Sequence, residues 1–230
     1  MAGTSGFSYK EWRGTFYEER LPEAKMLEAY ATKLPTVEIN NTFYRMPKAA
    51  LFEGWRDKTP AGFTFALKAP RRITHISKLK NAAEQVPYLV EVARVLGDKL
   101  GPTLFQLPPT FRKDTALLSE LCSVWPRDLR AALEFRHSSW FSDDVYAVLE
   151  AAGVALCAAE VDPDEGEDSP YVRTAPFTYV RLRRAEYSND GLGAALDKIR
   201  ALKVDSAFVY LKHEVKGPAY AQQLLRLAAT

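Results

Sequence analysis

The sequence predicts a single α/β domain, a (β/α)8 barrel of the TIM type, and three observations support this fold class. Eight short apolar runs alternate with amphipathic helical patterns along the chain, which is the element order of a parallel sheet covered by helices. The length of 230 residues is close to the roughly 250 that a complete barrel typically needs. Nearly every apolar run ends in polar residues, as barrel strands do at an active-site mouth.

The predicted strands are short and apolar on both faces, which is typical of parallel strands covered by helices. They lie at Ala2–Ser5, Thr36–Asn40, Phe63–Lys68, Thr103–Gln106, Ala131–Phe135, Val154–Ala158, Thr178–Leu182 and Ala207–Leu211. The predicted helices lie at Glu23–Leu34, Lys48–Lys58, Ala82–Leu96, Thr115–Trp125, Asp143–Ala152, Leu192–Leu202 and Pro218–Leu227. The connection from Glu160 to Pro176 is acidic and lacks a helical period, so we expect an acidic loop in place of the sixth helix. No interdomain linker occurs, and residues 1–230 are predicted to form one domain.

The composition excludes several classes of protein. Apolar residues make up 47% of the chain and charged residues 26%, which is ordinary for a folded globular domain. A net charge of +2 lacks the basic bias of a protein that coats nucleic acid, so any anion binding must be local. The absence of a signal-peptide pattern and of a long apolar run predicts a cytoplasmic protein without a membrane partner. Cys122 and Cys157 lack CxxC spacing and are predicted to be reduced core residues.

One carboxylate is placed where a barrel performs its chemistry. Glu38 and Asn40 stand two residues apart on the second predicted strand, so both side chains point into the barrel or towards its rim. A carboxylate in that position is costly unless it is paired or used. The structural alternative is an ion pair of Glu38 with Lys68 or with an arginine across the barrel.

The fifth predicted strand repeats this spacing. Glu134 and Arg136 share one face, and His137 follows them. A histidine beside a carboxylate exchanges protons near neutral pH, so we expect it to be partly exposed and within reach of Glu134 or Glu38. The predicted catalytic residues are therefore Glu38, Glu134 and His137. A buried pair between Glu134 and Arg136 is the structural alternative.

Cationic side chains crowd the same rim and favour an anionic substrate, because arginine forms bidentate hydrogen bonds with phosphate oxygens. Arg181, Arg183 and Lys212 follow the seventh and eighth strands, where barrels commonly hold phosphate. Gly217 adds a helix N-terminus whose amides attract anions. As a structural alternative, Arg183 and Arg184 neutralise the acidic loop. The predicted substrate-binding residues are Asn40, Tyr44, Lys68, Gln106, Arg136, Arg181, Arg183, Lys212 and His213.

Two other kinds of site are compatible with parts of the sequence. Glu38, Glu134 and Glu214 are carboxylates of the type that cleave glycosidic bonds in pairs, and a separation of about 5 to 9 Å would favour that chemistry. The three histidines have neither HxH nor HxxxH spacing, so no metal site and no cofactor are predicted. A single divalent metal ion bound by carboxylates stays open.

Five segments of the chain have a recognisable pattern: GTSGFSYKEWRGTFY, VEINNTFYRMP, FTFALKAPRRITH, LGPTLFQLPPTF and ALEFRHSSWF. In that order they resemble the YecE-like family, also called domain of unknown function 72, over essentially the whole chain. The resemblance implies a TIM-type barrel but no established reaction or cofactor. The C-terminal segments YVRLRRAEYS and FVYLKHEVKGPAYA depart from the commonest family pattern, an Arg-x-His-Gly-like segment followed by an aromatic residue and Asn, and add charge at the mouth.

We interpret the chain as a hydrolase-type enzyme that cleaves a phosphate-bearing substrate, small or derived from nucleic acid, by general acid-base catalysis. The first alternative is a non-catalytic module that binds nucleic acid or an anionic metabolite. The second is a glycoside-active barrel that uses paired carboxylates. Salt bridges that lock Glu38, Glu134 and His137 would favour the first alternative, and an open cavity around them would favour the enzyme. The oligomeric state is left open by the sequence.

Overall fold

The computed structural model describes residues 1–45 and 48–229 and forms a closed parallel barrel. The strands of this part of the chain pair in sequence order, and the last pairs with the first. They are β1 (Ala2–Ser5), β2 (Thr36–Ile39), β3 (Thr64–Lys68), β4 (Leu100–Gln106), β5 (Ala131–Glu134), β6 (Ala155–Glu160), β7 (Phe177–Leu182) and β8 (Ser206–Leu211). The predicted barrel is confirmed. Met46 and Pro47, which end the segment VEINNTFYRMP, lie outside the described residues.

Helices cover the outside of the barrel, and one short helix lies at its mouth. Within the described ranges they are α1 (Met26–Ala31), α2 (Asn41–Tyr44), α3 (Ala49–Asp57), α4 (Ala82–Ala93), α5 (Thr115–Val124), α6 (Asp143–Ala152), α7 (Asn189–Ala201) and α8 (Gly217–Ala228). The short helix α2 was not predicted, because four residues are too few to show a helical period. No helix lies between β6 and β7, all of whose connecting residues are described, so the predicted acidic loop is confirmed. None of the described helices has the length and apolar character needed to cross a membrane.

Two layers of apolar contact hold these elements together. Inside the barrel, small residues such as Ala66 and Cys157 pack with the rings of Tyr179 and Tyr210. Two larger clusters fill the space between the strands and the helices. Cys157 lies in the inner layer and Cys122 in the outer one, and both are free and buried, as predicted.

The alternation of side chains along each strand delivers polar groups to one end of the barrel. On β7, Phe177, Tyr179 and Arg181 are spaced by two, so they share the inward face. The apolar interior therefore gives way to a guanidinium towards the C-terminal end of the strand. On β2, Val37 and Ile39 belong to the outer cluster, which leaves the residue between them for the inside.

We expect Gly3→Ala to destabilise the barrel strongly. An added Cβ would lie 1.9 Å from the carbonyl oxygen of Thr36, and β1 is paired on both sides, so it cannot move away. Overpacking typically costs about 1 to 3 kcal/mol, and we expect at least the upper value. Gly193→Ala, at an open position of α7, should instead stabilise by up to about 1 kcal/mol. Urea denaturation measures both changes, and a Gly3→Ala protein as stable as the wild type would contradict this close approach.

Candidate functional site

Arg181 lies at the centre of the barrel mouth, between two carboxylates. Its Nη1 donates to Glu134 Oε2 at 2.8 Å, and its Nη2 donates to Glu38 Oε1 at 3.0 Å. Each of these three side chains is 2% exposed or less. Glu38 and Glu134 therefore lie at the same end of the barrel, as predicted, and Arg181 is the arginine across the barrel that the structural alternative required.

The carboxylate of Glu38 is held by further donors. Ser5 Oγ donates to it at 2.6 Å, Tyr179 Oη at 2.7 Å and Asn40 Nδ2 at 3.3 Å. Burial by itself would raise the pKa of Glu38, but the charge of Arg181 and the hydrogen bonds from Ser5 and Tyr179 lower the pKa below its ordinary value. Glu38 is therefore ionised and fixed.

Glu134 is held in the same way. Gln106 Nε2 donates to Glu134 Oε1 at 2.8 Å, and Arg136 Nε donates to the same oxygen at 3.1 Å. Burial would raise the pKa of Glu134, but Arg181, Arg136 and the hydrogen bond from Gln106 lower it well below its ordinary value. Both predicted catalytic carboxylates are therefore held in salt bridges with Arg181. Both are ionised at neutral pH, so neither carries the proton that a general acid donates.

A cleft of about 540 Å³ opens at this network, and every charged side chain in its lining is cationic. The lining residues are Ser5, Tyr9, Asn40, Phe43, Tyr44, Lys68, Arg71, His75, Gln106, Arg136, Arg181, Arg183 and Lys212. Eight of the nine predicted substrate-binding residues are among them, and His213 is the exception. The structure therefore brings the predicted rim together around one space.

Among the cations of this cleft that lack a carboxylate partner in the described ranges, Lys68 is the most deeply enclosed. Its Nζ lies 4.3 Å from the centre of the Phe43 ring, and no ion pair or hydrogen bond of its ammonium occurs among the described residues. Burial, followed by repulsion from Arg181, lowers the pKa of Lys68 to about 8, although Glu38 and Glu134 attract the charge. A lysine in this state binds anions when it is protonated and exchanges a proton near neutral pH.

The cations after β7 and β8 divide into paired and unpaired ones. Arg183 Nη2 lies 3.1 Å from Glu165 Oε2, and Arg184 pairs with Asp168. Both partners belong to the acidic loop, so the predicted neutralisation of this loop by Arg183 and Arg184 is seen. Lys212 has no carboxylate partner in the described part of the chain, and it lines the cleft.

The structure gives two predicted histidines local contacts outside the cleft. His137 Nδ1 accepts a hydrogen bond from the amide of Ser139, and no hydrogen bond joins it to Glu38 or Glu134 among the described residues. His213 Nδ1 accepts from the amides of Val215 and Lys216. The expectation that His137 lies within hydrogen-bonding reach of a mouth carboxylate is therefore corrected, because its ring instead caps the turn that follows β5.

The amides up to the start of α8 are engaged within the loop, whereas anion binding by the amides that follow Gly217 stays a prediction. The amide of Gly217 donates to the carbonyl of His213 at 3.2 Å, and the two preceding amides donate to the ring of the same residue. These donors are thus already satisfied within the loop. Gly217 itself is buried and packs against Thr4.

Six residues of this site lie outside the predicted set, and Phe43, Arg71 and His75 are three of the cleft residues among them. Ser5 and Tyr9 line the cleft, and Tyr179 donates to Glu38. Tyr179 has a signal in the sequence, since it stands two residues before Arg181 and shares its face. Ser5 is the last residue of β1, and it is the register partner of Glu38 on the neighbouring strand β2. Tyr9 lies in an irregular loop and reaches back to the carbonyl of Ser5 at 2.8 Å, which no periodicity predicts.

Metal-binding groups are dispersed in the described ranges. No cluster there brings together three or more His, Cys, Asp or Glu side chains in a way that would hold a metal ion. The two carboxylates at the centre are occupied by a guanidinium instead.

We expect Arg181→Met to destabilise the fold by about 3 to 5 kcal/mol at pH 7, the cost of leaving the buried Glu38 without a guanidinium partner and Glu134 with Arg136 alone. The lowered pKa values of Glu38 and Glu134 stabilise the wild type above the ordinary carboxyl pKa, and this stability is lost as the pH falls through the lowered values. In the variant, the buried carboxylates lose the charge of Arg181 and take up protons at higher pH, Glu38 above all because Glu134 keeps Arg136. The gap between the two proteins should therefore narrow from pH 7 to pH 5.

Urea denaturation at both pH values measures this gap. The control is Arg200→Met, which removes an arginine that is 53% exposed and only loosely paired, and which should change the free energy of unfolding by less than about 1 kcal/mol. An equal effect of the two substitutions would contradict the importance assigned to the buried network.

Comparison with known proteins places the chain in a family. The family model described as "Protein of unknown function DUF72" matches residues 1–230. UPF0759 protein YunF of Bacillus subtilis (strain 168) is 30% identical over 140 residues, which are 57% of this chain and 50% of that protein, so the chain spans about half the length of this curated relative.

Solved structures agree with this placement. The crystal structure of a DUF72 family protein from Thermotoga maritima MSB8 has a TM-score of 0.81 and 26% identity over 100% of this chain and 98% of that one. A DUF72 family protein from Enterococcus faecalis V583, with a TM-score of 0.76 and 18% identity over 90% of this chain and 94% of that one, shows the same fold. The resemblance found in the sequence segments is confirmed, and the chain belongs to the DUF72 family.

Proposed function

We propose that the cleft binds a small phosphate-bearing molecule, and that the side chain of Lys68 donates or accepts a proton when that molecule is hydrolysed. The observation that carries the proposal is an excess of cations without carboxylate partners. Among the described residues, Lys68, Arg71 and Lys212 line the cleft with no ion pair, whereas Arg181 is neutralised by two carboxylates. An anion that enters the cleft supplies the missing counter-charge.

Lys68 takes the acid-base role that the sequence suggested for His137. A general acid or base acts best when its pKa lies near the working pH. The pKa of Lys68 is lowered to about 8, with burial as the first cause, and its ammonium faces the cleft. Glu38 and Glu134, whose pKa values are lowered, instead hold Arg181 in place and carry negative charge at the base of the cleft.

A second candidate function is binding of the same anion without catalysis. It is favoured by the locked state of Glu38 and Glu134, which share Arg181 and have few free lone pairs. The glycoside-active alternative is less well supported, because such enzymes need one carboxyl with a raised pKa, and the pKa values of both mouth carboxyls are lowered.

Binding of inorganic phosphate and of ribose 5-phosphate, measured by titration calorimetry, tests the proposal directly. We expect Lys68→Met and Lys212→Met each to weaken binding about ten- to a hundredfold, since a hydrogen bond to a charged group contributes about 1.5 to 3 kcal/mol. Lys25→Met removes a lysine that is 59% exposed and paired with Glu28, and it should leave binding unchanged. Stabilisation of the protein by neutral oligosaccharides but by no phosphate would overturn the proposal.

Phosphate binding should weaken as the pH rises from 7 to 9.5. Lys68 is charged below its pKa of about 8 and neutral above it, whereas phosphate itself only gains negative charge over this range. Lys68→Arg keeps its charge throughout, so this variant should lose much less affinity at pH 9.5 than the wild type does. Parallel curves for the two proteins would assign the pH dependence to another group.

Glu165→Gln should tighten phosphate binding about three- to tenfold. This substitution releases Arg183, whose Nη2 lies 3.1 Å from Glu165 Oε2, and so removes an internal anion that competes with the ligand. Glu167→Gln is the matched control, because it changes the charge of the same loop by the same amount at a residue without an ion pair among those described. An equal effect of both substitutions would indicate a general change in loop charge instead of competition for Arg183.

A further inference from the structure

We propose that the ligand is a mononucleotide whose base lies in a groove next to the phosphate cleft. This inference rests on the proposed function and adds the chemical class of the substrate. The groove has a volume of about 640 Å³, which is within the usual range of about 300 to 1,000 Å³ for small-molecule sites. Its apolar wall consists of Phe43, Tyr44, Ile73, Ile76, Tyr88 and Leu89.

The groove and the cleft are adjacent. Phe43, Tyr44 and Arg71 line both of them. The ring of Phe43 divides the two spaces, with the ammonium of Lys68 4.3 Å from its centre and the ring of Tyr44 5.1 Å from it in an edge-to-face arrangement. A ligand with its phosphate at Lys68 therefore needs to extend only past the ring of Phe43 to reach the groove.

The groove holds a concentration of exposed apolar surface. Tyr44 is 74% exposed, Ile76 66% and Tyr88 56%. These are three of the six large apolar side chains that stand exposed in the described part of the chain, and the other three do not line the groove. Exposed apolar surface gathered in a concave site indicates a binding partner.

The chemistry of the wall favours a planar ring over an aliphatic chain. Two exposed tyrosine rings offer stacking faces, and Arg71 and Arg72 add guanidinium planes at the same wall. Stacking of a base on an aromatic side chain contributes about 1 to 3 kcal/mol. A phosphate in a cationic cleft with aromatic side chains beside it is therefore matched by a nucleotide.

The test compares ligands that contain one or both halves of the proposed molecule. Affinities of inorganic phosphate, ribose 5-phosphate, adenosine 5′-monophosphate and hexyl phosphate are measured by titration calorimetry at one salt concentration. We expect the nucleotide to bind at least tenfold more tightly than ribose 5-phosphate and hexyl phosphate. Tyr88→Ala should remove about five- to twentyfold of the nucleotide affinity and leave that of ribose 5-phosphate unchanged. Leu51→Ala, at a residue that is 47% exposed outside the groove, is the control and should change neither.

Each outcome separates this inference from the function on which it rests. Equal affinity for the nucleotide and ribose 5-phosphate, or no effect of Tyr88→Ala, would overturn the nucleotide while leaving the phosphate cleft intact. If hexyl phosphate binds as tightly as the nucleotide, the groove accepts an aliphatic group, and the nucleotide inference is overturned as well. If none of the phosphates binds, the proposed function fails together with the inference.

Discussion

A guanidinium buried between two carboxylates is the constraint on which the barrel mouth depends. Removing such charges from water is costly, and it is tolerated only where every group is paired and hydrogen-bonded. Arg181 meets most of that condition: its Nη1 and Nη2 donate to Glu134 and Glu38, while its buried Nε lies 3.0 Å from Glu38 Oε2 without forming a hydrogen bond. Donors from other strands complete the shell of each carboxylate. Strands β2, β5 and β7 are thereby tied to one another across the barrel. The side chains at the C-terminal ends of these strands are therefore held in fixed positions.

The same network determines which charges remain for a ligand. Two carboxylates around one guanidinium leave a net charge of one negative unit, and more cations than this stand at the rim. Glu38 and Glu134 attract the charge of Lys68 and favour its protonated form. Burial and repulsion from Arg181 outweigh this attraction and lower the pKa of Lys68. A free anion can approach Lys68 and Lys212 from the cleft, which the fixed carboxylates cannot do. The cleft is thus cationic because its acidic groups are already committed to Arg181.

The sequence predicted the strands and most of the rim, because both follow from periodicity. Spacing by two placed Glu38, Glu134 and Arg181 on inward faces, and parallel strands bring those faces to one end. It could not choose between pairing and catalysis, since that depends on contacts between residues more than 100 positions apart, as between Glu38 and Arg181. His137 was misplaced because a loop turned its ring towards the backbone of Ser139. Loop geometry of this kind has no period.

Phe43 connects the buried charges to the surface groove. It lies on the short helix α2, and its ring meets the Lys68 ammonium at 4.3 Å and the His75 ring at 4.9 Å. A base in the groove, on the far side of Phe43, would shield Lys68 from water and lower the pKa of the lysine, whereas a phosphate bound beside Lys68 would raise that pKa. The two halves of one nucleotide would therefore act on Lys68 in opposite directions. A ligand with a phosphate alone would hold the lysine protonated, and the added base would bring its pKa back towards neutrality, where proton transfer is most effective.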